Sequence, residues 1–517
     1  MRGFIVCALA GVLAAGCGMR AAAEGPVLEI KTEQGKVLGK TINDGKVRAF
    51  LGLPYAAPPV GDLRWKPPVA AAPWKGVRPA TEFGHHCAQG RVFADMIFPD
   101  AGASEDCLVL NVYTPAGATA KSKLPVMFWI HGGGYAGGAA SEPRHDGSAL
   151  PTHGVVLVTI NYRLGVFGFL NSTDLLKEGD GHAGNYGLMD MVAALQWVRA
   201  NIAKFGGNAG NVTIFGESAG SFAVSTLMAS PMAQGLFHRA IGESGGAFGR
   251  LLASGSLEES AAAGQKWAEK LGAKNLAELR AIPADKLIEE ASKKGAPFMG
   301  PVVDKRFLLE PVADTYAAGK QAHIPLLAGW NRDENPALAK NLTVAVWKEY
   351  AIEHMGVHTD EFLKAFPGST DAEAINSALD YGAQIFVGFG TWRWLEAQVK
   401  TGQAPVYRYH FELAAPPSKF HSGSFAFHSD DIEYVFGSLD TRPGAVWRPE
   451  DRTLSEQMMR YWTNFAKTGD PNGEGLPAWP RYDKTGGLIH LDAPITSGPD
   501  TKHAQYDFQM AVPERER

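Results

Sequence analysis

Cysteine is scarce: four residues in 517, at positions 7, 17, 87 and 107. That excludes a small disulfide-dense scaffold and any zinc site built from paired thiolates. Basic residues are not in excess either, since 49 Lys and Arg face 54 Asp and Glu. A mildly acidic chain without a basic stripe lacks the electrostatic footprint of a nucleic-acid binder. No apolar run reaches the length needed to span a bilayer. No Gly-, Ser- or Pro-rich block is long enough for a linker, and no internal repeat is present, so a single domain is expected.

What is present begins with an export signal. Arg2 leads into an apolar run over 4–15, too short for a membrane span, and Ala21-Ala22-Ala23 offers small residues for cleavage before Glu24. Residues 1–23 are therefore read as a signal peptide of a secreted or periplasmic protein. Cys17, after Ala14-Ala15-Gly16, gives a second processing option, lipid anchoring, although Leu13 sits four residues before it rather than three. Loss of 1–23 removes Arg2 and Arg20 and moves the formal charge from −5 to −7. It leaves Cys87 and Cys107. In an oxidising compartment these are read as one disulfide, two free thiols being the alternative, and its loop closure would contribute about 3 kcal/mol.

Apolar runs at 126–130 and 155–160 are short, continuous and rich in β-branched or aromatic residues, as parallel strands covered on both faces require. Residues 187–204 repeat apolar side chains at three and four, predicting a helix with one apolar face. Strands at 211–215, 239–243, 324–330 and 406–411 alternate with helices at 221–229 and 454–467. This pattern predicts an α/β fold with a large, mostly parallel central sheet and helices on both faces. Helical stretches over 257–294 and 344–400 are expected to be insertions above the active site.

The strand at 211–215 runs into Gly216-Glu217-Ser218-Ala219-Gly220 and then a helix. Gly-x-Ser-x-Gly in that setting places a serine hydroxyl clear of a sheet edge on a sharp turn. A second match, Gly242-Glu243-Ser244-Gly245-Gly246, follows another strand, but its glycine-rich continuation is a poor helix start. Ser218 is therefore the candidate nucleophile, and Ser244 a strand-end serine near the site. A serine needs a histidine base and an acid to orient it, expected downstream in that fold. Asp333 and Glu334 follow the strand at 324–330, His428 lies in a loop, and His410 falls inside a strand pattern and is read as structural. Chain order leaves the choice open. His131-Gly132-Gly133-Gly134, directly after the strand at 126–130, supplies a glycine loop whose N–H groups can meet an oxyanion. A phosphate loop would be closed by Lys and Ser or Thr, which are missing here.

These residues resemble the type B carboxylesterase family, which includes bacterial para-nitrobenzyl esterases and the cholinesterases. The resemblance rests on Phe215-Gly216-Glu217-Ser218-Ala219-Gly220, on Glu105-Asp106-Cys107-Leu108, on Asn161-Tyr162-Arg163-Leu164-Gly165, on Gly184-Asn185-Tyr186-Gly187-Leu188-Met189-Asp190, and on Tyr461-Trp462-Thr463-Asn464-Phe465-Ala466. It implies an α/β-hydrolase fold and ester hydrolysis by Ser218, Glu334 and His428 through an acyl-enzyme. It places the oxyanion donors at Gly133, Gly134 and Ala219, and supports the Cys87–Cys107 pairing. Asn335 and Pro336 depart from the glycine usual after the acid, as do Ser221 and Met191 from the family's glycine and glutamine. Glu217 is a further acid, either charging the histidine or merely hydrogen-bonded behind the turn. The expected partner is a small-molecule ester, with no cofactor and no metal. A non-catalytic cholinesterase-like binding protein, or the same machinery on an amide, lactone or polyester, is the alternative.

Overall fold

The computed structural model describes residues 28–249, 251–252, 255–483 and 486–512. The export signal and its Cys17 alternative lie outside the described residues. Eleven strands form the main sheet: β1 (Lys40–Ile42), β2 (Val47–Pro54), β3 (Val109–Pro115), β4 (Leu124–Ile130), β5 (Val156–Ile160), β6 (Gly207–Glu217), β7 (Arg239–Glu243), β8 (Leu326–Asn331), β9 (Val406–Phe411), β10 (Gly487–Leu491) and β11 (Thr496–Pro499). Their spatial order is β11-β10-β9-β8-β7-β6-β4-β5-β3-β2-β1. From β5 across to β10 every pairing is parallel, while both flanks are antiparallel.

The continuous apolar runs have a simple cause: each central strand is covered twice. On β4, Val126, Phe128 and Ile130 pack into one core with α1 (Tyr186–Asn201) and α2 (Ala219–Ala229). Met127 and Trp129 point the other way, into a core completed by Met458, Trp462 and Phe465 of α4 (Pro449–Thr468), while α3 (Phe389–Thr401) joins the first core through Trp394 and Leu395. Alternate side chains thus feed opposite cores. Helix α1 is not one-faced as its spacing predicts. Asp190 and Asn201 are buried along with its apolar residues, so nearly the whole helix is inside.

Cys87 and Cys107 are joined by a disulfide. No helix among the described residues is long and apolar enough to cross a membrane. Because β4 to β9 run parallel, their carboxyl ends share one edge: His131, Glu217, Glu243 and Asn331 emerge there together. Open parallel sheets place their ligands at that edge.

Candidate active site

Ser218 stands between β6 and α2 with φ 52° and ψ −123°, a conformation that costs a non-glycine residue about 1–3 kcal/mol. The flanking glycines are required by contact. A Cβ on Gly216 would lie 2.5 Å from the carbonyl oxygen of Ile130, and one on Gly220 would lie 2.0 Å from the same atom. The elbow is therefore pressed against the end of β4, and any side chain at either position would push it away.

From β8 and from the loop after β9 come the two groups that chain order could not choose. Ser218 Oγ is 3.0 Å from His428 Nε2, and His428 Nδ1 is 2.5 Å from Glu334 Oε2. With Nδ1–H donating to the carboxylate, Nε2 is left as an acceptor for the serine hydroxyl. The other carboxylate oxygen, Glu334 Oε1, accepts from the Asn331 N–H at 2.7 Å and from Ser244 Oγ at 2.5 Å. The rival serine is thus drawn to the acid, not to the histidine. The Asn335-Pro336 departure leaves Glu334 in reach of His428, and Asn335 caps the following short helix by accepting from the Ala337 N–H. Ser221 donates to the Gly245 carbonyl at 2.6 Å, and Met191 is buried in the core. Asp333 instead accepts from the Ala426 N–H and pairs with Arg332, so it braces the loop that carries His428.

A second carboxylate lies close by. Glu217 Oε1 is 3.3 Å from His428 Nε2 and accepts from Ser429 Oγ at 2.7 Å. Burial would lower the basicity of His428, but Glu217 first and Glu334 second outweigh it and raise the imidazole to about 9. Burial pushes Glu217 up from its ordinary value, against the pull of His428. The edge of the Phe386 ring meets the imidazole at a centroid distance of 4.8 Å.

The glycine loop reaches over the same spot. A Cβ on Gly132 would lie 3.1 Å from Ser218 Cβ and 2.7 Å from Glu217 Oε2, so only glycine allows this approach. Tyr162 steadies the loop, donating to the His131 carbonyl at 2.8 Å and stacking on its ring. Gly133 and Gly134 follow with φ 104° and 63°, and Ala219 opens α2, whose N-terminal end carries partial positive charge.

Ser218, Glu217, His428, Gly132 and Gly133 line a cavity of about 380 Å³. Phe93, Met96, Phe386, Phe427 and Ile432 give it an apolar wall, and Asp95, Glu142, Arg144 and His421 a polar one. Of the helical stretch 344–400, Phe386 is the side chain on this wall. Its aromatics Trp347, Phe362 and Phe366 form a core of their own. The stretch 257–294 borders a neighbouring cavity of about 590 Å³ behind the glycine loop, through Ile288 and Ala291. Sequence offers Phe386 as one of seven aromatics of that stretch that could line a pocket, with Trp347, Phe362, Phe366, Phe389, Trp392 and Trp394, and selects none of them. Phe386 sits in a π-helical turn, Gln384–Gly388, half-buried between the core that β4 shares with α1 and the cavity.

The carboxylesterase family matches residues 26–509 of the chain. A fumonisin B1 esterase of Sphingopyxis macrogoltabida is 37% identical over 506 residues, covering 92% of this chain and 88% of its own length. Carboxylesterase 1D of Rattus norvegicus is 37% identical over 536 residues, covering 93% and 92%. A solved structure of a PNB esterase, 33% identical, superposes with a TM-score of 0.76 over 93% of this chain and 99% of that one.

Proposed function

Since the chain belongs to the carboxylesterase family and is a carboxylic-ester hydrolase, we propose that it works by acyl transfer through Ser218, His428 and Glu334. The observation that carries this reading is the unbroken relay from Glu334 through His428 to Ser218, at 2.5 and 3.0 Å. His428 takes the serine proton as Oγ attacks the ester carbonyl, and Glu334 holds the ring in the tautomer that leaves Nε2 basic. The N–H groups of Gly133, Gly134 and Ala219 receive the oxyanion, each worth about 3 kcal/mol to the transition state. His428 then returns the proton to the departing alcohol. Water repeats the sequence and frees the acid. A fluorophosphonate probe is expected to form one adduct, mapped by peptide sequencing to Ser218. An adduct on Ser244, or none, would overturn the assignment.

Glu217 is placed to hold the proton that His428 has taken. A base must be neutral to act, so kcat/KM should climb with pH towards about 9 and fall away on the acid side. Glu217→Gln removes the largest influence raising His428, and the acid limb should move to lower pH. Coincident pH profiles for the two enzymes would exclude this role. A histidine raised on folding stabilises the protein fully below its unfolded value of 6.5, and that contribution is lost as pH rises through about 9.

We further take residues 24–517 as one catalytic domain, exported with loss of 1–23 to a secreted or periplasmic location. The disulfide supports an oxidising compartment.

A further inference from the structure

The last two parallel strands carry chemistry that acyl transfer does not use. His410 on β9 stands in register beside His490 on β10. Glu412, two residues beyond His410, extends the pairing by donating its N–H to the Leu491 carbonyl at 2.9 Å. A period of two puts His410 and Glu412 on one face of the sheet, and the register brings His490 alongside. The rings converge on a single atom: His410 Nδ1 is 2.8 Å and His490 Nδ1 2.6 Å from Glu412 Oε1. The three candidate ligand atoms lie within 4.8 Å of one another.

The cluster can be reached from outside. It borders a cavity of about 210 Å³, and the His490 side chain is 30% exposed. Arg332, Arg408 and Lys502 border that cavity too, but each is paired with its own carboxylate: Asp333, Asp500 and Asp380 respectively. Lys502 and Arg408 still disfavour positive charge at His410, and the Glu412 carboxylate works against them. Two imidazoles and a carboxylate closing on one point are a ligand set for zinc, which binds such nitrogens and oxygens at about 2.0–2.2 Å.

We propose that His410, Glu412 and His490 bind a divalent transition-metal cation, zinc foremost, that clips β9 to β10 at the sheet's carboxyl edge. The ion takes the place of the protons now held between Nδ1 and Oε1; in each neutral ring that proton passes to Nε2 by exchange with water, so the ring ligates as the Nε2–H tautomer and keeps its one proton. Ligand atoms around a tetrahedral ion stand about 3.3 Å apart, so the present contacts need to open by about half an ångström. Water from the cavity fills the fourth position.

The test is calorimetric titration of the untagged, chelator-treated protein with zinc chloride, with thermal unfolding followed alongside. One saturable site and a clear rise in Tm are expected with zinc. Magnesium and calcium chloride should give neither, since those ions prefer all-oxygen sites. His490→Gln and Glu412→Gln, tested separately so that misfolding of one does not decide the matter, should weaken zinc binding by more than about 100-fold, beyond what loss of an outer-shell partner costs. His428→Ala controls for a histidine that lies between two carboxylates, Glu217 and Glu334, and should bind zinc at the proposed site undiminished. No zinc-specific stabilisation, or binding that survives both glutamine substitutions, would overturn the proposal.

Discussion

Replacing Ser218 by alanine is expected to lower kcat on a short p-nitrophenyl ester by roughly 10⁶-fold, as loss of the serine does in an unrelated hydrolase with the same relay. The reasoning lies in the geometry. The two nearby hydroxyls are engaged elsewhere: Ser244 Oγ donates to Glu334 Oε1 at 2.5 Å, and Ser429 Oγ to Glu217 Oε1 at 2.7 Å. Residual turnover would come from the glycine loop and binding alone, roughly 10³–10⁴ above water. The fold should be unaffected, because Ser218 holds its place through a backbone N–H donated to the Glu243 carbonyl at 2.8 Å, which alanine keeps. Ser218→Gly should be equally inactive yet no less stable, since glycine relieves the strain of φ 52°. Near-normal turnover in either variant would remove Ser218 from the mechanism. A glycine variant markedly less stable than the alanine one would mean that the elbow carries no strain.

The parts of this molecule legible in the sequence are those decided locally. Residues 126–130 and 155–160 read as buried strands because both their faces meet apolar cores. The elbow reads as such because Gly216 and Gly220 crowd one carbonyl oxygen. Lys40–Ile42 and Thr496–Pro499 escape notice because they are short edge strands with exposed side chains, where periodicity has little to act on. Gly487–Leu491 is short as well and lies beyond the long helix α4. Glu334 and His428 could not be chosen from chain order, since their contacts span 94 and 210 residues and depend on how strands are ordered in the sheet. The resemblance supplied what locality could not. His410 marks the limit of what spacing encodes. It reads as a strand histidine and is one, but what it faces is set by register with a strand 80 residues away, which no spacing rule encodes.

Two segments quoted for the resemblance, 161–165 and 184–190, contain no group that meets the reacting atoms, and their packing explains them. Arg163, after β5, and Asp190, on α1, form a paired contact: Nη2 to Oδ1 at 2.7 Å and Nε to Oδ2 at 2.8 Å, with the Arg163 N–H adding a third bond at 3.0 Å. The side chains are 3% and 0% exposed. Arg163 also donates to the Lys66 carbonyl at 2.8 Å and lies over the Tyr186 ring. Asp190→Ala would leave a buried guanidinium without its counter-charge, and a loss of about 3–5 kcal/mol of stability is expected. Removing both charges, as in Arg163→Met with Asp190→Leu, should cost less than Asp190→Ala alone, because the penalty belongs mainly to the orphaned charge. Activity should fall along with stability. Tyr162 holds the His131 carbonyl, and Gly165 donates to the Tyr135 carbonyl at 2.7 Å, so the segment that Asp190 anchors also braces the glycine loop over Ser218. Urea unfolding monitored by tryptophan fluorescence measures the first effect, and kcat for the surviving folded fraction the second. A midpoint for Asp190→Ala within the equivalent of about 1 kcal/mol of the parent would show that the ion pair does not hold α1 to the sheet.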